Sequence, residues 1–230
     1  YVYPELIVRK KRGKWCAELN PERVPKLSIN EKYLAWLRQA RSTVSQPSKS
    51  ENDSGEILVP KKCELNQDLE KLHQQLQDAR YFLHSLKSRF ETLQRVMESI
   101  LEAQRGFFDY GEEAMRPLTL REIAANLDLH ESTISRATSS KYVQTPRGIF
   151  ELKFFFSSGV ITDEGGYCSS TAIQAMLKRL IASESPNKPL SDNQLMTLLQ
   201  AQGIQTARRT VAKYREAIGI PPSHERKLIC

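Results

Sequence analysis

The residues with the clearest chemistry lie near the C-terminus, in the segment Ala207–Glu216, which reads ARRTVAKYRE. Its four cations are Arg208, Arg209, Lys213 and Arg215. In a helix, residues four and seven apart share a face, so the cations can form one front while Val211 and Tyr214 turn inward. A short helix with an apolar back and a cationic front suits the major groove of DNA. A solvated basic helix would carry the same charges, so charge alone leaves both interpretations open.

Catalytic and metal-binding chemistry find little support. The four histidines form no HExxH motif and no triad spacing, and the chain has no Walker loop and no GxGxxG. The adjacent Glu112 and Glu113 would diverge on a helix. The cysteines fit no metal-ligand spacing, and we interpret them as reduced thiols of a cytoplasmic protein. The four histidines are His73, His84, His130 and His224, and the four cysteines are Cys16, Cys63, Cys168 and Cys230. We therefore expect no enzyme, no catalytic residue, no metal and no cofactor.

The positive charge is concentrated at the two ends of the chain. Residues 1–63 contain 13 cations and 7 acids, and residues 171–230 contain 9 cations and 4 acids. The residues between them are slightly acidic, although the whole chain has a net charge of +7 over 230 residues. This distribution is compatible with a nucleic-acid partner. No apolar run of about 18 residues occurs, so we expect no membrane span.

The chain divides into segments by pattern. Residues 1–63 begin with two alternating strands around a turn at Arg12-Gly13, with Leu6, Val8 and Trp15 as core candidates. A short helix is predicted over residues 30–41, and a Ser-rich linker follows at residues 42–62. Because the chain starts in strand-like sequence without an initiator Met, we expect it to be a fragment of a longer protein.

Residues 64–106 predict one very long helix. Apolar residues recur at alternating spacings of four and three from Leu65 to Ile100, and no helix breaker precedes Gly106. Such a pattern predicts roughly 40 helical residues, about 60 Å in length. A dimeric coiled coil has the same spacing. However, Phe82 and Val96 widen the stripe, which also fits packing within the chain or against a large partner.

Residues 107–160 predict a first helix-turn-helix. The segment Thr119–Glu122 has the form of a capping box, and a second helix, the recognition helix, is predicted over Glu131–Lys141. At the turn between these two helices, Asp128 occupies the position where Gly is usual. An ordinary helical hairpin is the alternative.

Residues 161–170 are a polar linker, and residues 171–230 predict three more helices. Thr171 and Ser191 are the expected caps of the first two, Gly203 ends the second, and the basic segment forms the third. The last two helices predict a second helix-turn-helix. The expected fold is therefore mainly α and multi-domain, with a small N-terminal hairpin-plus-helix segment, one very long helix and two helix-turn-helix units.

The basic segment also resembles a known signature. ARRTVAKYRE matches, without a break, the signature box of the RpoN, or sigma-54, family of bacterial sigma factors. The stretches LHESTISRATSSKYVQTPRGIFELKFFFSSGV and SSTAIQAMLKRLIASESPNKPLSD resemble the same family. The chain can be laid along the C-terminal half of such a factor, where residues 1–41 correspond to the end of the core-binding domain. The Ser-rich stretch at residues 42–62 matches no segment of the sigma-54 family.

The resemblance implies DNA-reading roles. The C-terminal unit would read an upstream GG promoter element. Arg208 and Arg209 are candidates for guanine, because Arg binds guanine O6 and N7 with two hydrogen bonds. Thr210, Lys213 and Arg215 would contact phosphate. The first helix-turn-helix would lie at a downstream GC element. Its candidate contacts are Glu131, Ser132, Ser135, Arg136 and Lys141.

The resemblance also implies partners. Besides promoter DNA, these are core RNA polymerase and a separate ATP-dependent bacterial enhancer-binding activator, which remodels a closed complex. Two other functions stay open from the residues alone. One is a stand-alone DNA-binding regulator, which would not bind core polymerase. The other is a coiled-coil assembly protein, which would dimerise without binding DNA.

Overall fold

The computed structural model describes residues 2–36, 39, 60–161, 166–185 and 188–227, with the backbone alone for residues 60–69 and 161. The chain divides into two compact units. One comprises Tyr1–Arg23 and Thr92–Cys230, and the other comprises Val24–Glu91. Most of the predicted Ser-rich linker lies outside the described residues.

In chain order, the first elements are strands β1 (Leu6–Lys11) and β2 (Lys14–Leu19), helix α1, which includes residues 31–36, and helices α2 (Pro60–Ala103) and α3 (Arg105–Tyr110). Next come helices α4 (Leu120–Leu127) and α5 (Glu131–Thr138), and strands β3 (Tyr142–Thr145), β4 (Gly148–Glu151), β5 (Gly159–Ile161) and β6 (Tyr167–Ser169). The last are helices α6 (Ser170–Ala182), α7 (Asp192–Ala201), α8 (Arg208–Ala217) and α9 (Ser223–Arg226).

The predicted long helix is confirmed as α2, which has 44 residues. Among the described residues, its apolar stripe is most deeply buried toward the C-terminal end, where Val96, Met97 and Ile100 are inaccessible to solvent, and Leu76 is buried to 9% exposure. Earlier along the helix, Leu83 and Leu86 are half-buried, and Phe82 is exposed. The regular spacing therefore predicted the helix correctly, but it did not show that the depth of burial changes along it.

A four-stranded sheet accompanies the helices, in the order β2-β1-β3-β4. Strands β1 and β2 form the predicted antiparallel hairpin around Arg12-Gly13. Strand β1 also pairs in parallel with β3, since Leu6 lies opposite Val143, and β3 pairs antiparallel with β4. The mainly α class is confirmed, but this sheet was not predicted. Through it, the hairpin joins the unit that contains the first helix-turn-helix.

Two apolar clusters hold the larger unit together. In the first, the ring of Phe107 meets the rings of Phe108, Phe150 and Phe155 edge-on, with centroids 5.2–5.4 Å apart. Edge-to-face pairs stabilise by about 0.5–1.5 kcal/mol beyond area burial. The buried side chain of Gln104 donates to the carbonyl oxygens of Arg116 and Phe155 and accepts from the Arg116 N–H. These bonds connect the junction of α2 and α3 to the backbone of Arg116 and Phe155.

The second cluster is formed by α6, α7 and α8. Its fully buried residues are Ile173, Leu177, Leu195, Leu199, Ile204 and Val211. The predicted cap at Thr171 is wrong, because the hydroxyl of Ser169 accepts from the Ala172 N–H and the helix begins at Ser170. The predicted cap at Ser191 is confirmed, and it forms a capping box with Gln194.

Candidate nucleic-acid interface

The basic segment forms helix α8, as predicted, and presents cations on its exposed side. Val211 packs into the core, whereas Arg208, Arg209 and Lys213 are exposed and Thr210 is half-buried. The helix is fixed against α6 and α7 by this apolar side. Its outer side is therefore free to meet a ligand.

The start of α8 is electrostatically unusual. Its N-cap is Ala207, which has no side-chain acceptor, and two arginines occupy its first turn. Because a helix N-terminus carries partial positive charge, cations there are unfavourable by a few tenths of a kcal/mol each, and an anion is favourable. This arrangement is suited to the negative charge of DNA.

Arg215 does not belong to the exposed front, and this corrects the prediction that it contacts phosphate. The side chain is only 3% exposed. Its Nε and Nη2 donate to the two carboxylate oxygens of Asp192, at 2.9 and 3.4 Å, and its Nη1 donates to the Ile220 carbonyl at 2.7 Å. Because it lies one turn after Val211 on the inner side of α8, it ties the start of α7 to the end of α8.

Thr206 is the residue before the N-cap of α8. Its hydroxyl is buried and has no hydrogen-bond partner among the described residues. With Gln200, Gln205 and Ala207, it lines a shallow depression. An unpaired buried hydroxyl is unfavourable by about 1–3 kcal/mol.

The first helix-turn-helix is formed by α4 and α5. Thr119 and Glu122 form the predicted capping box. Asp128 adopts the left-handed conformation usual for Gly at this turn, with φ 53°, and its N–H bonds back to the carbonyls of Ala124 and Ala125. The ring of His130 accepts from the Ser132 N–H and so begins α5 where it was predicted.

The predicted downstream contacts separate into two groups. Glu131, Ser132 and Arg136 are exposed on α5, and Ser135 is half-buried. Lys141 lies outside the recognition helix, because α5 ends at Thr138, so the predicted extent of that helix is corrected.

Lys141 instead helps to hold the hairpin. Its Nζ lies 3.2 Å from Oε1 of the mostly buried Glu5, whose second carboxylate oxygen accepts from the Tyr142 N–H at 3.0 Å. Arg23 approaches the same carboxylate at 3.8 Å. Glu5 therefore connects the start of β1 to the chain that follows α5, a role that a pattern of local residues cannot reveal.

Helix α6, which precedes the second helix-turn-helix, contacts the domain of the first within the larger compact unit. Arg179 on α6 donates to Glu113 at 2.8 Å, and Ala172 is buried in the cluster that includes α4 and α5 residues. Among the described residues, no group of three side chains could hold a metal ion, and no helix is long and apolar enough to cross a membrane.

Two helix-turn-helix units, the first with one exposed cation on its second helix and the other with three, define the class of a DNA-binding protein. Comparison with known proteins agrees with this class. Residues 69–228 match the family model described as the sigma-54 DNA-binding domain, and residues 1–33 match the sigma-54 factor core-binding domain. The chain belongs to the sigma-54 family, whose members are transcription initiation factors and not enzymes.

Similar full-length proteins include the RNA polymerase sigma-54 factors of Azotobacter vinelandii and Escherichia coli, at 53% and 49% identity over 99% of this chain. The chain spans only 41–43% of the length of these relatives. A crystal structure of Aquifex aeolicus sigmaN bound to promoter DNA is 30% identical, with a TM-score of 0.54 over 98% of this chain and 60% of that one.

Proposed function

We propose that the chain is the promoter-reading part of a sigma-54 factor, which directs RNA polymerase to promoters with an upstream GG and a downstream GC element. The observation that carries the proposal is the pair of exposed arginines at the uncapped start of α8. Support comes from the second reader in the same compact unit and from the structural neighbour, which was crystallised on promoter DNA.

Arg208 and Arg209 read the guanines of the upstream element. Side chains from the first turn of a recognition helix reach base edges, and a guanidinium can donate twice to one guanine. Lys213 and Thr210 lie farther along α8 and contact phosphate, which fixes the register of the helix without reading sequence. Arg215 has no DNA role in this proposal.

At the downstream element, α5 is the reader. Arg136 is its exposed cation, and Glu131 and Ser132 lie in its first turn, where they can accept from or donate to base edges. Ser135 is less accessible and makes at most a minor contact. Because α6, next to the second reader, packs against the domain of the first, one chain can engage both elements with a preferred spacing.

The family's remaining functions extend the proposal to polymerase and activator. The match of residues 1–33 to a core-binding domain supports contact with core RNA polymerase. In this account, α2 is the family's extra-long helix, and the complex stays closed until an ATP-dependent activator remodels it.

Binding measurements with two matched variants test the upstream assignment. Arg209→Ala should weaken binding to a GG duplex by about 1–3 kcal/mol and reduce the preference for GG over a mutated step. Lys213→Ala is the control, since it should weaken both duplexes equally. If Arg209→Ala also weakened both equally, Arg209 would be a phosphate contact and the assignment would be wrong.

A further inference from the structure

We propose that the turn of the β1–β2 hairpin is an additional binding site for the phosphate backbone of DNA, on the sheet that follows the first helix-turn-helix. The basic turn, as we call residues 9–14, reads RKKRGK and is exposed throughout. The inference goes beyond the readers described above, although it rests on the proposed binding of DNA by this chain.

Part of the charge in the basic turn is unpaired. Lys10 forms an ion pair with Asp109, and Lys11 forms one with Glu18. Within the described part of the chain, no carboxylate lies at ion-pair distance from Arg12 or Lys14. These two cations are therefore available to an external anion.

The sheet brings the basic turn next to the turn between β3 and β4. Because β1 and β3 are parallel, both turns lie at the same end of the sheet. Asp109 contacts both. Its carboxylate accepts from Lys10 at 2.8 Å and from Trp15 at 3.1 Å, and its carbonyl accepts from Arg147 at 2.8 Å. The hydrogen bonds from Lys10 and Trp15 lower the pKa of the Asp109 carboxyl below its ordinary value.

The hairpin is also fixed relative to the recognition helix. Glu5, at the start of β1, binds Lys141 and the N–H of Tyr142 just after α5. A cationic turn held in this way adds its charge at a defined distance from α5. This is what a backbone contact that sets register requires.

The conformation of Arg12 argues that its charge has a role other than folding. Arg12 has φ 49° and Gly13 has φ 80°, the pair of positive angles found in two-residue hairpin turns that favour Asn-Gly. A bulky non-Gly residue in this region is unfavourable by roughly 1 kcal/mol. Asn at position 12 would suit the turn better, so stability does not explain the arginine.

An acidic protein surface is the competing partner, since residues 1–33 match a core-binding domain. The composition of the turn favours DNA. Three of its five cations are lysines, which protein interfaces deplete, and it contains no exposed apolar side chain to anchor a protein. Its strands also complete the sheet of the unit that carries α5.

The variant Arg12→Asn separates charge from fold, because it creates the preferred Asn-Gly turn. We expect its melting temperature to equal or exceed that of the unchanged chain. Binding to a duplex with both elements is measured across salt concentrations. Each lost phosphate contact should reduce the magnitude of the slope of log K against log salt by about 0.9, and Arg12→Asn with Lys14→Gln should reduce it by about 1.8.

The matched control is Lys26→Gln, because Lys26 is an exposed lysine outside both the basic turn and the compact unit that carries the two readers. It should leave the slope unchanged, and none of these variants should alter the preference for GG or GC. Unchanged slopes for Arg12→Asn and the double variant would overturn the inference, as would an effect on core polymerase binding alone. If the unchanged chain bound no duplex, the proposed function itself would fail.

Discussion

The buried ion pair of Arg215 and Asp192 should be a structural element of the C-terminal helix-turn-helix. Removing one partner from a buried pair is unfavourable by about 3–5 kcal/mol, because the other charge stays buried without compensation. Asp192 is 19% exposed, which lets water reach its carboxylate, so we discount the effect of Arg215→Ala to about 2–3 kcal/mol. The orphaned carbonyl of Ile220 acts in the same direction.

Hydrogen exchange of the amides in α7 and α8 measures the stability lost in Arg215→Ala, since exchange reports local opening. A loss of 2–3 kcal/mol corresponds to exchange that is about 30- to 150-fold faster. Arg208→Ala is the matched control, because this exposed arginine should change exchange by less than about threefold. The double variant Arg215→Met with Asp192→Leu should recover part of the loss.

One result would contradict the structural role of Arg215. If Arg215→Ala left exchange in α7 and α8 unchanged but reduced DNA affinity as strongly as Arg209→Ala, Arg215 would contact DNA in solution. The structural role inferred from its 3% exposure and its two partners would then be wrong.

Substitutions in α5, in the turn before α5 and in α2 test three further features of the fold and the readers. Arg136→Ala should remove hydroxyl-radical protection at the downstream element while protection at the upstream element persists, and equal footprints would refute the assignment of α5. Asp128→Gly should raise the free energy of unfolding in urea by about 0.5–1 kcal/mol, because Gly adopts the left-handed conformation without strain; a loss of stability would contradict this. Val96→Asp should destabilise by more than about 3 kcal/mol and Leu83→Asp by much less, since Val96 is fully buried and Leu83 only half-buried; equal losses on urea unfolding would show that the stripe is buried evenly.

Patterns of neighbouring residues predicted the helices and caps that neighbouring residues determine. The spacing of apolar residues predicted α2 to within a few residues, and the hydroxyl-to-amide spacing predicted the capping boxes at Thr119 and Ser191. The cap of α6 was misplaced because Ser169 and Thr171 are both suitable cap residues, and only the folded chain distinguishes them.

What the sequence did not reveal depends on contacts between distant residues. The pairing of β1 with β3 joins residues more than a hundred positions apart, and neither strand carries a signal for the other. Arg215 has the same chemistry as Arg208 and lies seven residues later, so periodicity places both on one face. Arg215 also lies one turn after the buried Val211, and its inward position depends on Asp192 at the start of α7, a partner that the local pattern does not show.

The most direct test of the central claim is a hydroxyl-radical footprint of this chain on a duplex that carries GG and GC elements at the family's spacing. We predict protection over both elements. Mutating GG should remove the upstream protection, and mutating GC should remove the downstream protection. A footprint that ignored both mutations, or that covered only one element at every concentration, would contradict the claim that the two units read two promoter elements.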